Sequence, residues 1–181
     1  EFARLDNFKN VENIDISKLS SYGQKRLKQN RYNEFYKLFK NFKYIVPGGS
    51  VLAGIGSGKP VSLSNCFVLK TGDFVEEIFD TASNMSQIYK RRGGCGVDLS
   101  SLRPNGAGVN NAAKTTGGVV PFMELYSQVT NIIGQNGRRG ALMLSIDINH
   151  PDSPEFITSK QNLTKITGAN ISVKLNNEFK K

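Results

Sequence analysis

Two cysteines and a few clustered cations are the residues in this sequence that could do chemistry. Cys66 lies in the run Val-Ser-Leu-Ser-Asn-Cys-Phe-Val-Leu, residues 61–69. Nearly every second residue there is β-branched or large and apolar, which predicts a strand. On a strand, alternate side chains share a face. Val61, Leu63, Asn65, Phe67 and Leu69 then make a mostly apolar face, and Ser62, Ser64, Cys66 and Val68 the other. Two hydroxyls and a thiol in a row, beside a glycine-rich approach (Gly48, Gly49, Gly54, Gly56, Gly58), would suit the floor of a pocket. Taken alone, the run favours a plainer reading, with Cys66 a small buried hydrophobe. Cys66 and Cys95 have neither metal-ligand nor disulfide-framework spacing. That points to a reducing compartment, where thiol chemistry is catalytic rather than structural.

The cations gather at Lys90-Arg91-Arg92-Gly93-Gly94-Cys95-Gly96-Val97-Asp98, followed by Arg103-Pro104. Cations suit a helix C-terminus, and glycines let a backbone approach something closely. A cap and a tight turn explain the glycines and one cation. Four cations bracketing the turn fit a bound polyphosphate better. Arg138-Arg139-Gly140 is a weaker version of the same signal. Residues 54–60, GIGSGKP, resemble a phosphate loop only at a glance. Ala53 holds the first required glycine position, Pro60 replaces the magnesium-binding Ser/Thr, and a strand follows instead of a helix. The single histidine, in His150-Pro151-Asp152, has no adjacent nucleophile and no ligand cluster, so it reads as a turn residue with no metal site.

Alternating strand and helix periods must position these groups. A helix over about 30–43 carries Tyr32, Phe35, Tyr36, Phe39 and Phe42 as its buried face. Such a stripe interleaved with Lys could instead stack on bases, but the buried face is the commoner use. Pro47-Gly48-Gly49 ends that layer. After the first strand, Asp73 is a good N-cap, with Glu76 three residues on completing a capping-box-like start. Val75, Ile78, Phe79, Ala82, Met85 and Tyr89 give the next helix its apolar face, to about Lys90. A strand over 96–99, a loop over 100–116 and a helix over 119–133 follow, the helix with Phe122, Leu125, Tyr126, Val129, Ile132 and Ile133 on one face. A strand over 141–148, a short helix over 152–160 with Pro154 in its first turn, and a strand over 169–175 complete the pattern. Three strand–helix–strand units imply α/β architecture with parallel strands, whose ligands gather at the strands' carboxyl ends. By sequence those ends fall near 66–73, 98–103 and 147–150.

The 181 residues suffice for one domain with an appendage, divided here as a helical region 1–45 and an α/β region 46–181. Net charge is +9, and the excess is spread out: ten Lys/Arg against five Asp/Glu in the first 45 residues, fourteen against ten in the rest. A solvated surface explains this best, phosphate-bearing ligands next, and a nucleic-acid groove least. No stretch approaches the ~20 apolar residues of a membrane span. The polar, charged N-terminus shows no signal peptide, which fits a cytoplasmic protein. A start without methionine and an end just after a strand-like run suggest a fragment of a longer protein.

In order along the chain, Ser64-Asn65-Cys66, residues 91–104 (RRGGCGVDLSSLRP), 118–123 (GVVPFM), 137–143 (GRRGALM), His150-Pro151-Asp152 and 167–173 (TGANISV) resemble the catalytic large subunit of ribonucleotide reductase. The wording is nearer its adenosylcobalamin-dependent branch. The resemblance runs from about residue 42 to 175. It implies part of a ten-stranded α/β barrel, preceded by a helical segment. It makes Cys66 the redox thiol on the first barrel strand, and it places Ser64, Asn65, Gly93 and Gly94 at the ribonucleotide substrate. Asp73, Lys90 and Arg103 become the site of a deoxynucleoside triphosphate or ATP effector. Residues 103–110 and 161–168, the latter with Gln161, Asn162, Lys165 and Gly168, become its two specificity loops. It further implies a homodimer through the barrel helices, radical generation by adenosylcobalamin or a metal-containing small subunit, and thioredoxin or glutaredoxin as reductant. The family usually has an aliphatic residue where Cys95 stands, so Cys95 reads as incidental. The family's radical-forming cysteine, the partner of Cys66 and the catalytic Asn and Glu would lie beyond residue 181.

The sequence is therefore expected to carry part of a radical enzyme, inactive as a fragment alone. The alternatives are a non-catalytic nucleotide-binding module retaining only the effector site and a basic nucleic-acid-binding domain. Cys66 beside Ser64 favours the first. Spread-out charge and a βαβ pattern weigh against nucleic acid as a partner.

Because Asp73 and Lys90 stand at opposite ends of a helix about 25 Å long, one chain is not expected to bring both to one nucleotide. A two-fold dimer would, with the 161–168 loop carrying the effector's state toward Cys66.

Overall fold

A computed structural model describes residues 32–133, 140–162 and 164–179. The chain divides into two compact units, Glu1–Lys59 and Pro60–Lys181. In the first, helix α1 (Tyr32–Phe39) runs into a 3-10 turn at Lys40–Phe42. Asn41 and Phe42 there have φ of 56° and 51°. Two successive left-handed residues cannot continue a right-handed helix, so the single helix expected over 30–43 breaks. Its aromatic stripe is not a buried face at the positions described. Tyr36 is 49% exposed and Phe42 58%, with only Phe39 half-buried; the side chains of Tyr32 and Phe35 lie outside the described residues. The glycine-rich stretch forms a short helix, α2 (Gly49–Gly54), and Ser57 then turns the chain by donating N–H and hydroxyl to the Gly54 carbonyl. The phosphate-loop lookalike is thus a helix end.

The second unit is a four-stranded parallel sheet in chain order: β1 (Cys66–Lys70), β2 (Gly94–Asp98), β3 (Leu142–Asp147) and β4 (Ala169–Lys174). Helices α3 (Val75–Tyr89), α4 (Val119–Ile132) and α5 (Ser153–Thr158) make the crossovers, the last continued by a 3-10 turn at Ser159–Gln161. Cα partners run Cys66–Gly94, Gly96–Met143 and Met143–Asn170, which aligns the two faces across all four strands.

One face packs under the helices. Val97, Leu142, Leu144 and Ile146 from the sheet meet Ile78, Met85 and Tyr89 of α3, Met123 and Tyr126 of α4, and Phe156 of α5. Burying such side chains contributes about 1.5–3 kcal/mol each before entropy. The other face, bearing Cys66, Val68, Gly96, Met143, Ser145 and Asn170, is open: Val68 is 86% exposed.

The helix periods hold, with shifted faces. Ile78, Ala82, Met85 and Tyr89 are buried, but Val75 and Phe79 are not. On α4 the buried row is Val119, Met123, Tyr126 and Thr130, while Ile132 is exposed. Each helix has more apolar positions than the sheet-facing arc can cover.

Candidate functional site

Cys66 opens β1 and does not close it, so the thiol sits at the sheet's amino end, opposite the end expected from strand chemistry. It is exposed and free. Its neighbour across the ladder is Gly94, whose N–H bonds the Asn65 carbonyl at 2.7 Å. The row Ser62–Ser64–Cys66 does not form. The Ser62 hydroxyl takes the N–H and donates to the C=O of Ser64, at 3.1 and 3.0 Å, folding 62–64 into a local turn ahead of the strand. Such hydroxyl-to-backbone bonds compete with ladders. Ser64 and Asn65 are exposed beside Cys66, on a loop.

Gly93 does not face the open side. A Cβ there would meet Ile88 Cγ2 at 2.5 Å and Phe67 Cε2 at 2.8 Å, so the helix-side core requires its bareness. Gly94 stands across from Cys66, and at Gly96 a Cβ would find nothing within 4 Å. A floor of small residues therefore runs beside the thiol. At the same sheet end a groove of about 220 Å³ lies between the starts of β3 and β4, lined by Gly140, Ala141, Thr167, Gly168 and Asn170.

At the carboxyl end, Asp73 is not a cap. The N-cap of α3 is Phe74, with no side-chain bond. The Asp73 carboxylate instead accepts the N–H and Nε–H of Arg103 at 2.9 and 2.6 Å. Arg103 also donates Nη1 to the Gly108 carbonyl at 2.9 Å. The pair is about one-third exposed. Arg103 leads into a hairpin closed by the Gly108–Thr115 bridge and by Gly106 N–H to Thr116 O at 2.9 Å. Lys90 is exposed just past the far end of α3, about 22 Å along its axis. One chain joins Asp73 to Arg103 and leaves Lys90 apart from both.

The segment 161–168 lies ahead of β4, at the Cys66 end of the sheet. Asn162 Oδ1 holds the Thr164 N–H and hydroxyl, and Gln161 is exposed. Lys165 pairs with Glu124 at 3.0 Å. Gly168 N–H bonds Ser127 Oγ at 2.9 Å, and a Cβ at 168 would meet the Ser127 carbonyl at 2.5 Å.

Burial pushes the Cys95 thiol up to about 11, only partly offset by its bond from Tyr89. It lies in the core, on the face away from Cys66. Arg138 and Arg139 lie outside the described residues. His150 turns the chain as expected, with its N–H on the Asp147 carbonyl at 3.0 Å. Among the described residues no acidic, histidine and cysteine cluster could hold a metal, and no helix is long and apolar enough to cross a membrane.

The profile of the ribonucleotide reductase barrel domain matches residues 64–181. The chain belongs to that family. It is 41% identical over 136 residues to a vitamin B12-dependent ribonucleoside-diphosphate reductase of Thermoplasma acidophilum, covering 74% of this chain and 18% of that one. A protein of the same description in Mycobacterium tuberculosis is 34% identical over 119 residues, 65% of this chain and 17% of that one. The ribonucleoside-diphosphate reductase subunit alpha of Synechocystis is 37% identical over 97 residues, 53% of this chain and 13% of that one. The chain thus spans about a fifth or less of these relatives. In fold it matches the Actinobacillus ureae class Id ribonucleotide reductase alpha subunit with a TM-score of 0.67 at 22% identity, over 97% of this chain and 29% of that one.

Some bonded groups carry no motif in the sequence. Asp98 accepts from Lys174 at 2.6 Å and from the Ser100 hydroxyl at 2.7 Å, and the Ser100 hydroxyl in turn accepts Asp147 N–H at 2.8 Å. Strand parity could have paired Asp98 with Ser145 and Lys174. Nothing local marks Lys160, whose ammonium holds the Ile166 and Ala169 carbonyls at 2.9 and 2.8 Å.

Proposed function

We propose that this chain supplies the first strands of a ribonucleotide reductase catalytic barrel, with Cys66 one of two thiols that reduce the ribose. The observation that carries this is the exposed, free Cys66 on the open sheet face, within the segment matching the family's barrel domain. Replacing a 2′-hydroxyl by hydrogen releases water and takes two electrons. Two thiols give them and end as a disulfide. Cys95 is not the second thiol, because the sheet separates it from Cys66. Gly94 and the exposed Ser64 and Asn65 leave room for a nucleotide at the thiol, whereas Gly93 serves the core. Thioredoxin or glutaredoxin is the reductant that would reopen the disulfide.

The cobalamin-dependent branch is favoured because the matched relatives in Thermoplasma and Mycobacterium carry that description. Adenosylcobalamin would generate a radical; none of the described residues is assigned to holding it. A metal-containing small subunit is the other generator.

The Asp73–Arg103 pair and the hairpin behind it are read as the seat of a deoxynucleoside triphosphate or ATP effector. The 161–168 loop lies at the opposite sheet end, so a second copy must bring it, and Lys90, to that seat. Exposed Phe74, Val75 and Phe79 on the first turns of α3 are the apolar surface such a homodimer would cover. The cell location that goes with this reading is the cytoplasm.

In the intact enzyme, Cys66→Ser should leave ribonucleotide affinity within about twofold and abolish multiple turnovers. Full turnover with a thioredoxin-type reductant would sink the redox assignment. The second reading, a nucleotide-binding module without catalysis, keeps only the Asp73–Arg103 seat. Arg103→Ala should weaken deoxynucleoside triphosphate binding about tenfold or more, one charge-assisted contact being worth about 1.5–3 kcal/mol. Equal affinity in wild type and variant would make the seat wrong under either reading.

A further inference from the structure

The carboxylate of Asp152 is buried, at 6% exposure, and no role above uses it. It accepts the backbone N–H of Asn105 through both oxygens, at 3.0 and 3.1 Å, and that of Val119 through Oδ2 at 3.0 Å. Those amides are the two feet of the hairpin that follows Arg103. Val119 also begins α4, whose N-cap, Gly118, has no side chain to offer. Asp152 therefore caps α4 from 33 residues downstream. Gly118 has φ 75°, and a Cβ there would run into Asp152 Oδ2 and lie 2.7 Å from Asn105 N. Only glycine admits the carboxylate. His150 braces the same corner, with Nε2 2.7 Å from the Leu102 carbonyl and Nδ1 accepting the Asp152 N–H.

The body of α4 grips the other loop. Glu124 pairs with Lys165, Ser127 Oγ accepts Gly168 N–H, and Asn131 Nδ2 donates to Thr167 Oγ1 at 3.0 Å. Positions 124, 127 and 131 share one helix face. A rod about 21 Å long is thus clamped at its start to the hairpin and along its side to 161–168.

We propose that Asp152 is a positioning residue for specificity: by tying both hairpin feet to the start of α4, it makes the hairpin and the 161–168 loop shift as one body. This rests on reading Asp73–Arg103 as the effector seat. Within one chain, a ligand there can bias that chain's own 161–168 loop through an element both loops share, and α4 is that element.

The test uses the intact enzyme with Asp152→Asn, which keeps shape but turns an amide N–H toward backbone donors. Effector-free turnover should stay within about twofold. The factor by which a bound deoxynucleoside triphosphate changes substrate preference should fall about tenfold, within the usual span of allosteric coupling. Backbone hydrogen exchange should quicken in both 104–118 and 161–168 and stay unchanged in β1–β4. Exchange that quickens in the hairpin alone, or turnover and selectivity lost in equal proportion, would overturn the proposal. Ser127→Ala is the second arm, should Asp152→Asn not fold. By reciprocity it should cut several-fold the factor by which bound ribonucleotide changes effector affinity, and an unchanged factor overturns the coupling. If the wild-type enzyme shows no effector-dependent selectivity, the effector reading fails, while the exchange measurement still decides the mechanical link.

Discussion

The two faces of the sheet are made from neighbouring residues of the same strands, yet they obey different rules. Phe67, Cys95, Leu144 and Ile171 point under the helices; Cys66, Gly96, Met143 and Asn170 point the other way. The covered face is apolar and filled, with Leu144 and Ile146 wholly buried. The open face alternates small residues, isolated apolar side chains such as Val68, and charges toward the carboxyl end. A face left this way by a chain that fills its other face so well is built to meet something further, as the barrel family implies. The difference teaches that strand parity decides which of two cysteines can do chemistry.

The thiols give the sharpest break. Cys95, raised to about 11, would hold about one thiolate in a thousand at pH 8. Cys66 is exposed at the strand's start. Alkylation at pH 8 followed by peptide mass mapping should modify Cys66 at least about a hundredfold faster, because the thiolate is the nucleophile. Comparable rates in the folded chain would mean that the two faces are misassigned.

Next comes packing. Leu144 is fully buried, and its chain neighbour Met143 is 43% exposed. Leu144→Ala should cost about 2–5 kcal/mol of unfolding free energy. Met143→Ala should cost under about 0.5 kcal/mol, as surface substitutions do. Urea unfolding of both variants checks this, and equal losses would show that the open face is covered within this chain.

Much of this contrast is legible in the order of residues. The period of 3.6 locates α3 and α4 to within one or two residues, and alternation finds the strands after them nearly as well. The inferences that fail are those whose competitors lie far along the chain. Asp73 has the composition of a cap, but Arg103, 30 residues on, offers two donors and takes the carboxylate. Residues 61–65 alternate like a strand, yet Ser62 spends its hydroxyl on Ser64 and the ladder starts only at Cys66. Alternation cannot tell an extended loop from a strand, because both point successive side chains to opposite sides. That slip moves the thiol from the sheet's carboxyl end to its amino end. Asp152 is invisible for the same reason: its backbone partners stand 33 and 47 residues away. The motif Ser64-Asn65-Cys66 is indifferent to that slip, since a motif does not depend on where the strand begins.

The smallest expected effect concerns the charges on the open face. Burial pushes the Asp98 carboxyl up, but the Lys174 ammonium at 2.6 Å and the bonds from Ser100 pull it down further, so it ends below the ordinary value of 3.8. A carboxyl whose folded value lies below its unfolded one binds fewer protons in the folded state, so stability rises with pH through that window. The contribution is complete above the ordinary aspartate range and disappears as the pH falls through the lower, folded value. Asp98 and Lys174 are each nearly half exposed, at 45% and 46%, so water and salt screen the pair and it should be worth only about 0.2–1 kcal/mol. Asp98→Asn should therefore unfold at a lower urea concentration than wild type at pH 7. The gap should narrow below pH 4 and close near pH 2, and 1 M salt at pH 7 should shrink it in the same direction. A gap that is constant from pH 7 to pH 2 would assign the loss to the Ser100 and Ser145 hydrogen bonds of Asp98 rather than to its charge.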